Sequence, residues 1–251
     1  MERRSFLKKR WIKAAVILIV VFCVEVIACN IPILKNLYWK GFISATTLNE
    51  SMIMGDYHSV SEYEFVGMIV FVIYIFFLTG NDVAQRITRY GDRKQYAKCV
   101  IKQGIQGAVI FSIIHEMVSI VFLNVFGNIR ILTAHGWIYG IIFQIIVNIL
   151  FYMQIYMVCK IIELRISEEN TQILVIAGYT ILHVVYQETY YKTSLWMQGR
   201  DLTMLQNICG NHYTLEQSVI SVIKVFLILI VLIVIFMRAQ QKKEWFGDEK
   251  E

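Results

Sequence analysis

The sequence predicts an all-α polytopic membrane protein with six transmembrane helices and both termini cytoplasmic. Three observations lead there. Apolar runs near 20 residues recur along the chain, and a helix of about 20 apolar residues crosses a ~30 Å hydrocarbon layer. The composition agrees: 57% of the 251 residues are hydrophobic, with one Pro and a mean hydropathy of +0.56, far from the balance of a soluble domain. The third observation is how Lys and Arg sort. With the spans placed as below, 18 of them fall on one side. Five (Lys35, Lys40, Arg130, Lys192 and Arg200) fall on the other, and Lys224 lies within a span. That bias sets both ends inside, since an odd span count would leave the C-terminal basic cluster outside. The net charge of +5 is thus a topology signal and not a nucleic-acid footprint. Without an internal repeat or a low-complexity tract, residues 1–251 form one membrane domain.

The first ten residues carry Arg3, Arg4, Lys8, Lys9 and Arg10 around Phe6 and Leu7, as expected of a segment lying along the inner membrane surface. The apolar run that follows has no small-residue cleavage pattern near its end, so it reads as an uncleaved span over 12–31. Glu25 falls inside it, where an ionised carboxylate is expensive. It faces a protein interior, lies near the outer headgroups, or lines a substrate path. Segment 35–64 is polar and acidic, with Glu50, Asp56, Glu62 and Glu64, and is expected outside.

The second span covers 65–79, extended at its front by Tyr63. The third, 104–126, opens with Gly104 and Gly107, small residues one turn apart that permit close helix packing. It carries the adjacent pair His115 and Glu116 near its middle. The fourth, 137–159, places Trp137 and Tyr139 at the headgroup level. It holds Gln144 and Asn148 four residues apart on one face, with Gln154 offset. The fifth, 171–186, contains His183. Segment 189–216 mixes aromatics with amphipathic pieces around Leu202, Leu205 and Ile208, which fits interfacial or re-entrant helices. The sixth span, 217–237, leads into a charged tail.

Between spans two and three lies a polar, basic island, GNDVAQRITRYGDRKQYAKCVIKQG, from Gly80 to Gly104. Asn81 or Asp82 can cap a short helix. Val83, Ile87 and Tyr90 share one face, Arg86 and Arg89 lie about a quarter-turn away, and Gly91 suits a left-handed C-terminus. Asp92 with Gln95 then resembles a capping box for a new helix.

Several chemistries have no motif. A phosphate loop of the form GxxxxGK[ST] is absent, so ATP, if used, binds another chain. The five cysteines form no CxxC pair, and Cys29 and Cys209 could meet near the outer face. A zinc-protease helix needs a second His four residues after the first, and position 119 is Ser. Ionisable groups within a span are functional candidates by default. Glu25, His115, Glu116, Gln144, Asn148 and His183 are the candidate lining of a substrate path, with His183 the candidate partner of His115 and Glu116.

The basic start, the six spans with both ends inside, the island with its ITRYGDRKQY stretch and the amphipathic segment 189–216 together resemble the permease subunits of type-two ABC exporters. Those associated with bacteriocin or lantibiotic export and self-protection are the nearest in kind. The sequence-level likeness is confined to Arg89–Arg93. The resemblance implies a subunit of a bacterial plasma membrane that binds no cofactor itself. Its partners are an ATPase pair that binds ATP and magnesium, a second permease subunit and membrane lipids. Val83, Arg86, Ile87, Arg89, Tyr90 and Arg93 are its expected docking residues for the ATPase, and its substrate is a peptide, a lipid-like molecule or another amphiphile. Two other classes stay open: an immunity or assembly factor without transport, and an intramembrane protease using Glu116, His115 and His183.

Overall fold

The computed structural model describes residues 2–40, 53, 55–59, 61–79, 93–126, 136–189 and 201–242. Of the side chains there, those of 2–9, 32–34, 36–40, 56, 93, 126, 186–189 and 242 lie outside the description. All the regular structure among the described residues is helical. The helices are α1 (Glu2–Lys40), α2 (Gly67–Thr79), α3 (Arg93–Phe126), α4 (Trp137–Ile162), α5 (Glu168–Thr189), the short α6 (Met204–Cys209) and α7 (Leu215–Lys242). A 3-10 turn at Asp56–His58 and a π-helical turn at Glu62–Val66 precede α2.

Five segments are long and apolar enough to cross a membrane: Arg10–Ile31, Glu62–Thr79, Lys94–Val125, Trp137–Ile162 and Leu215–Gln241. The chain is therefore a multi-pass membrane protein. The fifth predicted span corresponds to α5, which is 22 residues long but is not among the five. Glu168 and Glu169 in its first turn and polar residues near its end dilute its apolar middle.

The expected boundaries shift in two places. The basic start and the first span form one continuous helix, α1, which runs on to Lys40, so segment 35–64 is not wholly a loop. The second span also begins earlier than 65. The π turn carries Glu62, Tyr63 and Glu64 into the bundle, and all three are buried.

Helix α4 occupies the centre, with α2, α3, α5, α6 and α7 packed against it. Its stretch from Phe151 to Met157 is buried on every side. By contrast, α1 buries one stripe, Ala14, Leu18, Phe22 and Val26, and exposes Val16, Ile17, Val20 and Val24. The four-residue spacing puts that stripe on one helix face, and in a bilayer the exposed apolar faces meet lipid. Gly104 and Gly107 act as the sequence implies. A Cβ at Gly104 would collide with the Tyr156 ring, and one at Gly107 with Ile75, so α3 sits tight against both α4 and α2.

The chain order gives the bundle two unlike ends. Arg10, Lys13, Lys94, Lys98, Lys102, Lys160, Arg165 and Arg238 gather at one end. The π turn, α6 and the second half of α3 form the other, hereafter the far end. Helix α5 runs antiparallel beside α2 along its length: Glu168 shares a cleft with Phe76 and Phe77, while His183 reaches Glu64 at the far end.

Candidate functional site: a buried acid–histidine network

An uninterrupted set of polar side chains fills the far end, built from the neighbours His115 and Glu116 on α3. Neither has any exposure to solvent. Oε1 of Glu116 accepts three hydrogen bonds: from the Tyr63 hydroxyl at 3.2 Å, from Nδ1 of His115 at 3.2 Å and from Nδ2 of Asn148 at 3.0 Å. One oxygen thus ties the π turn, α3 and α4 together. Its sister Oε2 is buried without a hydrogen-bond partner among the described residues.

The donors continue outward in a defined direction. Tyr63 gives its proton to Glu116, so its oxygen is free to accept from Nδ1–H of His58, 2.9 Å away. That assigns the proton of the neutral ring to Nδ1, and Nε2 then accepts from Ser119 Oγ at 2.8 Å. Burial pushes His58 down to about 4; the nearby Glu116 carboxylate opposes this and His115 reinforces it. A neutral ring at pH 7 is what this chain of donors requires. Ser119, standing where a zinc-protease helix would carry its second His, is spent on His58.

His115 is enclosed by rings. Tyr57 stacks on it with centroids 4.7 Å apart and planes 6° from parallel, and Phe22 of α1 meets it edge-on at 4.8 Å. The Tyr57 hydroxyl donates to the His115 carbonyl at 3.2 Å. Burial, then the carboxylates of Glu116, Glu62 and Glu25, hold that phenol well above its ordinary range, so it stays a donor. The second ring nitrogen of His115, Nε2, faces Oε1 of Glu62 at 3.7 Å, within ion-pair range but too long for a hydrogen bond. Glu25 of α1 completes the cluster, its carboxyl group within hydrogen-bonding reach of that of Glu62.

On the other flank the network reaches α6. Nε2 of Gln144 donates both to Oδ1 of Asn148 at 2.9 Å and to the Leu202 carbonyl at 2.5 Å, and its oxygen accepts from the Leu205 amide at 2.9 Å. A Cβ at Gly140, one turn before Gln144, would collide with Leu205. The absent side chain there is what lets α6 lie close enough for Gln144 to hold it.

Five of the six candidate path residues, Glu25, His115, Glu116, Gln144 and Asn148, therefore converge. The sixth does not. His183 places Nδ1 3.1 Å from Oε2 of Glu64 and Nε2 3.5 Å from Ser61 Oγ, and stacks on Phe65. Packing of α5 against α2 commits it to the π turn, so it is not the partner of His115. Glu62, Tyr57 and His58 are not among the candidates, because acidic and aromatic residues before an apolar run read as a solvated outer loop, and Tyr63 reads only as the front of the second span. No disulfide joins Cys29 and Cys209; burial raises the Cys209 thiol to about 11. Lys224, which the sequence places within the sixth span, is ion-paired with the buried Asp201.

The expected docking residues Val83, Arg86, Ile87, Arg89 and Tyr90 lie outside the described residues. Arg93 opens α3, its side chain outside the description. Among the described residues no group of three or more His, Cys, Asp or Glu side chains is arranged to hold a metal ion. No protein-family model, curated protein or solved structure matches the chain.

Proposed function

We propose that the chain is the transmembrane subunit of a type-two ABC exporter in a bacterial cell membrane. It moves a peptide, lipid-like or other amphiphilic substrate with ATP hydrolysed on a separate chain. The observation that carries this reading is the network itself. Glu116 joins the π turn, α3 and α4 through one oxygen, Gln144 extends the connection to α6, and Glu25 and Glu62 bring in α1. Keeping so many ionisable and amide groups inside an apolar bundle is costly. It is understandable where helices must exchange polar partners as they move.

The arrangement of elements adds support. Helix α5 lies antiparallel to α2 from one end of the bundle to the other, and at about 1.5 Å per residue its 22 residues reach ~33 Å. Counting it as a span gives six, with both termini on the basic side, and α6 folds back into the far end between the last two. The segment joining α2 to α3 is then the lever on which an ATPase pair would act. Arg86, Arg89 and Arg93 supply charge there for acidic groups, and Val83, Ile87 and Tyr90 supply an apolar contact. A second copy of the chain, or a homologous one, faces it across the path.

The test is recovery of an ATP-hydrolysing chain with the protein from its native membrane in mild detergent. Wild type should bring one down, and Ile87→Asp with Tyr90→Asp should lose it while the protein remains inserted. Equal recovery with both, or none with wild type, overturns the reading.

A further inference from the structure

At the basic end a cleft of about 830 Å³ opens between α1, α2 and the start of α5. Arg10, Glu168, Glu169 and Gln172 give it a polar side, and Ile73, Phe76 and Phe77 an apolar floor. A second hollow, about 300 Å³ and almost wholly apolar, lies between α1 and α2. It runs from Ala14 to Val21 on one helix and from Phe77 back to Val70 on the other. Ile73 and Phe77 line both, so the two hollows adjoin across these side chains, a charged mouth at the basic end beside a greasy slot toward the bundle's middle. Seven residues of helix make that slot about 10 Å long, within the ~15 Å of one hydrocarbon leaflet.

Among the described residues the mouth's charges make no ion pairs. The Arg10 guanidinium sits over the Phe77 ring, 5.1 Å from its centroid, and it pairs with no carboxylate among the described residues. Neither Glu168 nor Glu169 pairs with a cation there. Among the described residues the mouth thus offers one cation and two carboxylates beside an apolar slot. Arg presents a fork suited to a phosphate, whereas the two carboxylates disfavour a headgroup that is only anionic.

We infer that this cleft binds one membrane phospholipid whose headgroup carries a primary ammonium beside its phosphate, with the phosphate on Arg10, the ammonium on Glu168 and Glu169, and an acyl chain in the α1–α2 slot. This site is independent of the far-end network and of any ATPase. It holds α1 to α2 and α5 at the basic end, where the described side chains between them supply no ion pair.

The experiment is native mass spectrometry of the full chain in detergent. The detergent carries equal amounts of phosphatidylethanolamine, phosphatidylglycerol and phosphatidylcholine. Wild type should retain one phosphatidylethanolamine, about fivefold over either competitor, the scale of one partly exposed ion pair. Glu168→Gln with Glu169→Gln should abolish the preference. Ile17→Trp, which fills the slot from its exposed side, should reduce retention of all three. These side chains are at the surface, so the variants are expected to fold, and an unchanged thermal midpoint checks that. Equal retention of the three lipids by wild type, a preference for phosphatidylglycerol, or a preference that survives the double Glu→Gln change each overturn the proposal.

Discussion

Two buried acids at the far end solve the same problem differently. Asp201, 2% exposed, is matched one for one: it is ion-paired with Lys224 and accepts from Ser221 Oγ at 2.8 Å and the Tyr213 hydroxyl at 3.2 Å. All three partners lie on α7 or just before it, so the pair is a local staple. Among the described residues Glu116 has no Lys or Arg partner. Its partners come from the π turn, α3 and α4, and two more carboxyl groups, Glu62 and Glu25, stand behind His115. Such a staple links Asp201 to one neighbouring element only, so movement of the other helices leaves its partners in place. A network whose donors come from separate helices cannot move without exchanging partners, and that makes it the place where a change of bundle shape would be felt.

The sharpest way to break this comparison is to remove each acid. Glu116→Ala leaves Tyr63, His115 and Asn148 without their common acceptor in a closed interior. Removing one partner of a buried charged set costs about 3–5 kcal/mol. The variant should insert poorly or melt far below wild type in detergent, as read by fluorescence-detected gel filtration after heating. A midpoint within a few degrees of wild type would show that Glu116 is not the keystone.

The next effect separates the two sites by pH. His58 belongs to the Glu116 network alone, and its folded value of about 4 lies below the ordinary 6.5. Between those values the unfolded chain binds more protons than the folded one. The stability conferred by the neutral ring is complete above pH 6.5 and is lost as pH falls through 6.5 toward 4. At pH 5 the loss is about 2 kcal/mol. Other carboxylates also titrate there, so the measurement is a difference: the midpoint drop from pH 7 to pH 5 should be smaller in His58→Gln than in wild type. Glutamine can still donate to Tyr63 and accept from Ser119. Equal drops would remove His58 from the titrating set.

How much of this was readable beforehand depends on which side of a helix boundary a residue falls. His115, Glu116, Gln144, Asn148 and Glu25 stood out because polar groups are conspicuous against an apolar run, and the four-residue spacing of Gln144 and Asn148 already put them on one face. Glu62 escaped because nothing in the sequence marks a π turn, and two glutamates before a span look like solvated charge; Tyr63 reads as the front of the span without a polar role. His183 was assigned to the wrong acid for a different reason. Periodicity says which face a residue occupies but not which helix will cover it, and α5 is covered by α2. The Gly104–Gly107 contact was legible for the converse reason: a missing side chain permits only close approach, whichever helix supplies the neighbour.

A smaller effect is expected at the staple. Asp201→Asn keeps the acceptor for Ser221 and Tyr213 and leaves Lys224 alone. That side chain is 25% exposed, and its stem is long enough to carry the ammonium toward the headgroups. The cost should be about 1 kcal/mol, well below that of Glu116→Ala. If Asp201→Asn proved the more damaging change, the local pair would be the structural centre of the far end and the comparison would invert.

The smallest effect is the most discriminating, because it measures connection rather than strength. Gln144 touches Asn148 but not Glu116, so a double-mutant cycle between Gln144→Leu and Glu116→Gln tests whether the hydrogen bonds form one cooperative set. Interhelical hydrogen bonds in membranes average about 0.6 kcal/mol, and a coupling of about that size is expected through Asn148. The same cycle between Gln144→Leu and Asp201→Asn shares no partner side chain, and independent sites add, so its coupling should be near zero. Both cycles contain Gln144→Leu, which frees α6 at Leu205 and the preceding Leu202, and Asp201 sits just ahead of that helix. General loosening of that helix would therefore couple both pairs equally, whereas a network that transmits through polar contacts couples only the first.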